Sequence, residues 1–284
     1  MKITNGLKDM LAVYDNGEFN LKKWCNYIET VYNGLGKLCL DDMQQTLATG
    51  LVDFENDYMP ILNAVYERQH LIITAVRTFN EVTERLENRI TTCFGKSLEV
   101  ELILYLGLCN GAGWVTEIEG KTVCLIGIEK LLELNWYDEK SLIGLIFHEL
   151  GHVYQNQYGT FERKIKNNRS KFLWQLFTEG VAMVFEQTLV GDENYFHQDE
   201  NGWKEWCDER FSQIKKDFDD DLKTMDFENQ RYFGDWVTYN GHPDVGYYLG
   251  AKFVRFICEN RSFDSVLSLS VKEVCSQYSK FLRE

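Results

Sequence analysis

The chain has 284 residues, 44% hydrophobic and 26% charged. This composition excludes a disordered chain and provides a sizeable core, in one large domain or two closely joined ones. A formal charge of −14 and a pI near 4.9 repel phosphate backbones, so nucleic acid is not an expected partner.

Met1 to Leu11 lacks the apolar stretch and small-residue cleavage site of a signal peptide. No apolar run approaches the roughly 18 residues a membrane helix needs. The eight cysteines include no Cys-x-x-Cys pair. Reduced thiols and a cytoplasmic protein with no membrane partner are therefore expected.

Residues 18 to 95 read as helices. Phe19, Trp24, Tyr27, Ile28 and Val31 recur at helical spacing, as do Ile61, Val65, Leu71, Ile72, Val76 and Phe79. Asn33-Gly34-Leu35-Gly36 punctuates them. Residues 1 to 95 thus form a helical N-terminal region, a packing or lid layer, and 96 to 284 a second region packed with it as one compact unit. Leu98 to Leu108 reads as a strand. Asn110-Gly111-Ala112-Gly113 reads as a turn or irregular edge. Trp114 to Ile118 and Thr122 to Ile128 form a hairpin across Glu119-Gly120.

Asp138 to Gln155 reads as an apolar, buried helix with Asp138 as its N-cap. Ser170 caps a helix over Lys171 to Val190, which Gly191 ends. Residues 201 to 230 read as a charged helix plus loop. Gly246 to Cys258 reads as an apolar helix, and a last helix spans Ser270 to Leu282. The fold class is α+β, mostly helical, with a small antiparallel or mixed sheet before the helix of Asp138 to Gln155.

That helix contains His148-Glu149-Leu150-Gly151-His152. Two histidines four apart project from one helical face, where both imidazoles reach one Zn²⁺ at roughly 2.0–2.1 Å. Glu149 flanks the metal without binding it, placed to take a proton from the attacking water. Burying two imidazoles and a carboxylate is costly without a partner, and a metal removes the cost. A catalytic zinc takes a third protein ligand. Glu179 lies mid-helix, followed by Gly180 and Ala182, small residues that let its helix approach the motif helix. Glu186, seven residues later on a similar face, is the competing choice and is read as a surface or outer carboxylate. His70 and His197 have no second ligand at helical spacing and are read as non-ligands.

His-Glu-Leu-Gly-His followed by helical Thr178-Glu179-Gly180-Val181-Ala182 resembles the gluzincin metallopeptidases, and most nearly a bacterial group of zinc-dependent proteases. The resemblance covers about residues 98 to 282. It includes Asn110-Gly111-Ala112-Gly113-Trp114, Gly127-Ile128-Glu129 and Gly246-Tyr247-Tyr248-Leu249-Gly250.

The resemblance implies a zincin-like fold, His148, His152 and Glu179 as zinc ligands, and Glu149 as general base and acid. It also implies that the strand before the motif helix binds an extended peptide by edge pairing. Two features depart from the group. The stretch between His152 and Glu179 is long and basic (Arg163, Lys164, Lys166, Arg169, Lys171) and reads as a solvated loop. The Gly111-Ala112-Gly113-Trp114 edge lacks the glutamate with which gluzincin aminopeptidases hold a substrate's amino terminus, so the resemblance does not extend to their specificity.

An oxyanion donor is sought in His242-Pro243-Asp244-Val245-Gly246-Tyr247-Tyr248. Tyr247 is the choice, with Tyr248 and His242 behind it. Asp235 and Asp244 are candidates to orient a zinc-bound histidine. The expected activity is peptide-bond hydrolysis on a peptide or protein substrate. Hydrolysis of a non-peptide amide, or a metal-bearing binding or regulatory role without turnover, are the alternatives.

Overall fold

The computed structural model describes residues 1–160, 164–234 and 236–284. Arg163 of the basic stretch and Asp235 lie outside the described residues. Two compact units emerge, Met1–Glu149 and Leu150–Glu284.

The first unit contains a mixed sheet. Strand β1 (Lys2–Asn5) pairs in parallel with β4 (Glu101–Tyr105), β4 in parallel with β6 (Lys121–Gly127), and β6 antiparallel with β5 (Gly113–Ile118), in the order β1-β4-β6-β5. The two inner strands bury near-continuous apolar runs, Leu102-Ile103-Leu104 and Val123-Cys124-Leu125-Ile126, as strands covered on both faces do. The hairpin falls where it is expected. Glu119 and Gly120 have φ of 51° and 75°, the left-handed pair that a two-residue turn matching strand twist requires. The strand expected over Leu98 to Leu108 is shorter, because the chain leaves the sheet at Leu106.

At that exit Glu129 is buried and accepts the Gly107 N–H at 2.8 Å and the Cys109 N–H at 3.1 Å. Burial pushes its pKa up to about 7, against the lowering effect of those N–H groups.

Helices α1 (Leu21–Val31), α2 (Leu35–Ala48), α3 (Met59–Glu67), α4 (Gln69–Glu84) and α5 (Leu86–Phe94) fill most of the expected helical region. Asn20 caps α1 by accepting the Lys23 N–H at 3.1 Å. From α1, Trp24 donates to the Leu106 carbonyl and Tyr27 to the Gly6 carbonyl, both at 2.8 Å. The sheet edge and helical layer therefore share one core. Two departures concern the start of the chain. Strand β1 is a fourth strand that local pattern did not reveal. Phe19 belongs not to a helix but to a small ribbon of β2 (Tyr14–Asp15) and β3 (Glu18–Phe19), turned at Asn16-Gly17.

Helix α6 (Ile128–Glu133) follows β6, and α7 (Glu139–Tyr158) follows it. Asp138 caps α7 as expected, accepting the Ser141 N–H at 3.1 Å.

The second unit adds α8 (Asn168–Val190), α9 (Trp203–Asp221), α10 (Val245–Cys258), α11 (Phe263–Leu267) and α12 (Val271–Phe281). The cap of α8 is Asn167, not Ser170: its side chain accepts the Ser170 N–H at 2.8 Å. Gly191 ends α8 in the left-handed conformation, as expected. Ser270 and Glu273 form a reciprocal capping box on α12.

Three buried tyrosines donate to aspartates of α9: Tyr248 to Asp208 (2.7 Å), Tyr239 to Asp217 (2.8 Å) and Tyr232 to Asp221 (2.7 Å). They pin the segment before α10, and the first turns of α10, to α9. Lys164, Lys166, Arg169 and Lys171 are exposed, as expected, but Arg169 and Lys171 belong to the first turn of α8 rather than to a loop. Among the described residues, no helix is long and apolar enough to cross a membrane. The class is α+β, mostly helical with a small mixed sheet.

Candidate metal centre

Helix α7 is apolar on most sides because Leu142, Ile146, Leu150 and Val153 are fully buried. Its histidines stand one turn apart, so both imidazoles face the same way. His148 is 3% exposed. Helix α8 delivers the third group through a close crossing next to His152. A Cβ on Gly151 would lie 2.7 Å from the Ala182 Cα and 3.1 Å from its carbonyl oxygen, so this approach needs glycine on α7 and a small residue on α8.

The expected partner of Gly180 differs. Its missing Cβ would lie 2.2 Å from the Gly250 oxygen, so Gly180 seats α10 on α8, while Ala182 meets the motif helix. Between them these contacts hold α8 from two sides and fix the turn that carries Glu179.

The result is an Nε2–Oε2 distance of 3.3 Å between His152 and Glu179. Ligand-capable atoms of His148, His152 and Glu179 all lie within 4.8 Å of one another. Tetrahedral bonds of about 2.0–2.1 Å would separate two ligand atoms by about 3.3–3.4 Å, so the His152–Glu179 spacing fits one small ion. Two imidazoles and one carboxylate are also a donor set that catalytic zinc accepts. The His152 and Glu179 side chains keep 17% and 15% of their surface exposed. Solvent therefore reaches this side of the group, as a site with an open coordination position requires.

Glu149 points to another neighbour. A Cβ on Gly113 would lie 2.5 Å from the Glu149 Cγ and 2.6 Å from its Oε1. The strand before the motif helix, β6, is paired on both edges and offers none to a peptide, but Gly113 opens β5, whose other edge pairs with no strand among the described residues. The carboxylate between the two histidines thus rests on the first residue of an open strand edge.

The remaining candidates separate by what they touch. Tyr247 is half-buried at the start of α10 and meets the Phe233 ring edge-on at 6.1 Å. Tyr248 is fully buried and committed to Asp208, and burial together with that carboxylate raises its pKa. His242 stacks on Trp206 with ring centres 3.8 Å apart. Asp244 accepts the Gly234 N–H at 3.2 Å. His70 is exposed on α4.

Sequence reasoning missed one arrangement. Glu186 is fully buried, not at the surface, and His197, read as a non-ligand, is 4% exposed and bonded to it. The available signal was the seven-residue step from Glu179 to Glu186, two turns along one face of α8. No local pattern announces the return of His197. No protein-family model, curated protein or solved structure matched the chain, so the functional reading rests on these residues and their geometry.

Proposed function

We propose that this protein is a zinc-dependent hydrolase, a peptidase of the gluzincin kind, acting on a peptide or protein substrate. The observation that carries the reading is the 3.3 Å approach of Glu179 to His152, one helical turn from His148 and with solvent access. His148, His152 and Glu179 are the proposed holders of the ion. A zinc ion held there would supply Lewis acidity, bringing the pKa of a water to about 7 and polarising a carbonyl.

The chain's own residues do the rest. Glu149 takes the proton of the attacking water and passes it to the leaving amine. The open edge of β5, beginning at Gly113 beside that carboxylate, offers main-chain N–H and C=O groups to an extended peptide. This favours a peptide over a small non-peptide amide. Tyr247 is proposed to donate a hydrogen bond to the developing oxyanion.

The test is paired metal content and activity for wild type, Glu149→Gln and Glu179→Ala against a mixed peptide library. The expected outcome is one zinc per chain in wild type and Glu149→Gln, less in Glu179→Ala, and cleavage by wild type alone. Wild-type protein that takes up no zinc when it is offered would refute the proposal. Zinc without cleavage of any peptide would refute the peptidase assignment.

A further inference from the structure

Glu186 is 0% exposed, on α8 two turns beyond Glu179. A carboxylate so placed costs several kcal/mol unless donors surround it. His197 provides two. Its Nδ1 lies 3.1 Å from each carboxylate oxygen, and its main-chain N–H donates to Oε1 at 3.3 Å.

The segment that brings His197 back is itself tied down from the residue next to Glu186. Gln187 Nε2 donates to the Tyr195 carbonyl at 3.0 Å, while Arg255 Nη2 and Nε donate to Gln187 Oε1 at 2.7 and 3.0 Å. The far side of the arrangement is His148. Ligand-capable atoms of His148, Glu186 and His197 lie within 4.8 Å of one another. His148 is thus common to this fully buried group and to the partly exposed group with His152 and Glu179.

We propose that Glu186 and His197 are positioning residues for His148: the buried carboxylate aligns the imidazole, and His197 holds the carboxylate in place. The inference rests on the metal reading above. A histidine that binds a metal through one ring nitrogen is commonly oriented by a carboxylate at the other, which fixes its tautomer and raises its basicity. A second metal in the His148–Glu186–His197 group is the competing arrangement. It fits less well, because His197 already directs both a ring nitrogen and a main-chain N–H at Glu186. This is the pattern of a hydrogen-bonded anion, whereas ligands in one metal shell do not bond to one another.

The probe is Co²⁺, whose visible absorption reports the geometry of its ligands. Wild type, Glu186→Gln, His197→Phe and His197→Asn would each be titrated with cobalt. Near-ultraviolet circular dichroism and cooperative melting would confirm that each is folded. Glu186→Gln and His197→Phe should bind roughly 10- to 100-fold more weakly with a displaced cobalt spectrum. His197→Asn should recover wild-type affinity and spectrum, because an amide N–H can stand where Nδ1 stood. If Glu186→Gln fails to fold, the two His197 variants carry the same comparison.

Wild-type affinity and spectrum in His197→Phe would overturn the proposal. So would a second cobalt equivalent in wild type that His197→Asn loses, since both residues would then be ligands. Wild type that binds no cobalt would instead overturn the metal reading beneath it.

Discussion

Replacing Gly151 by alanine tests whether the crossing of α7 and α8 assembles the proposed metal centre. The new methyl carbon would sit 2.7 Å from the Ala182 Cα, 3.1 Å from its carbonyl oxygen and 3.2 Å from its Cβ. Carbon atoms settle about 3.5–4.0 Å apart, and the nearest obstacles are main-chain atoms, so the helices must part by about 1 Å. Glu179 rides on α8 and His152 adjoins Gly151, so their present 3.3 Å separation would open toward about 4 Å. That exceeds the tetrahedral edge of about 3.4 Å.

Stability should change little. Alanine gains about 1 kcal/mol of helix propensity over glycine, and overpacking costs about 1–3 kcal/mol. The net loss of up to about 2 kcal/mol corresponds to a melting shift of at most about 8 °C. Function should change far more. A misplacement near 1 Å is worth about 100-fold in rate, with a parallel fall in zinc affinity. Calorimetric melting, zinc competition and peptide hydrolysis measured on the same preparations would show the disproportion. Wild-type zinc affinity and turnover in Gly151→Ala would refute the idea that this contact sets the ligand spacing.

Other positions make further demands. Glu129, with its pKa pushed up from 4.5 to about 7, takes up a proton on folding between those values. Its favourable contribution is complete below about pH 4.5 and is lost as pH rises through 7, a swing of about 3 kcal/mol. Glu129→Gln removes that swing but also one acceptor for the Gly107 or Cys109 N–H, at about 1–3 kcal/mol. Urea midpoints should therefore show the variant weaker than wild type at pH 5 and closer to it, or level, at pH 8; an equal gap at both would contradict the assignment.

Tyr248→Phe removes the 2.7 Å bond to Asp208. Burial opposes ionisation of that aspartate, but Lys204, Tyr248 and Lys252 hold its pKa down to about 2. Its contribution is present above the unfolded value near 3.8 and lost as pH falls toward 2. Asp208 keeps 39% of its side chain exposed and retains Lys204 and Lys252, so at neutral pH the variant should lose only about 0.5–1.5 kcal/mol, with zinc content unchanged. Loss of turnover with no loss of stability would instead make Tyr248, not Tyr247, the oxyanion donor.

What local sequence determines here is set by neighbours along the chain. Histidines four apart on an apolar stretch face one way whatever surrounds them. Asp138 and Gly191 bound their helices by satisfying end groups within a few residues. Glu119-Gly120 turns a hairpin because its backbone preference is local. Asn16-Gly17 carries the same kind of signal, masked by helix-spaced aromatics beside it.

Strand β1 was illegible because its partner β4 lies about a hundred residues away, and a four-residue stretch gains its strand character from that pairing alone. The cap of α8 moved from Ser170 to Asn167 because Asn167, three residues earlier, accepts the Ser170 N–H and so starts the helix one turn sooner. Glu179 was recognisable as an acid among small residues, yet its distance from His152 is a product of Gly151 against Ala182 and Gly180 against Gly250. The burial of Glu186 beneath His197, and their gathering with His148, belongs wholly to the tertiary structure. A polar segment beyond α8 folds back there to satisfy a carboxylate that the core could not otherwise hold.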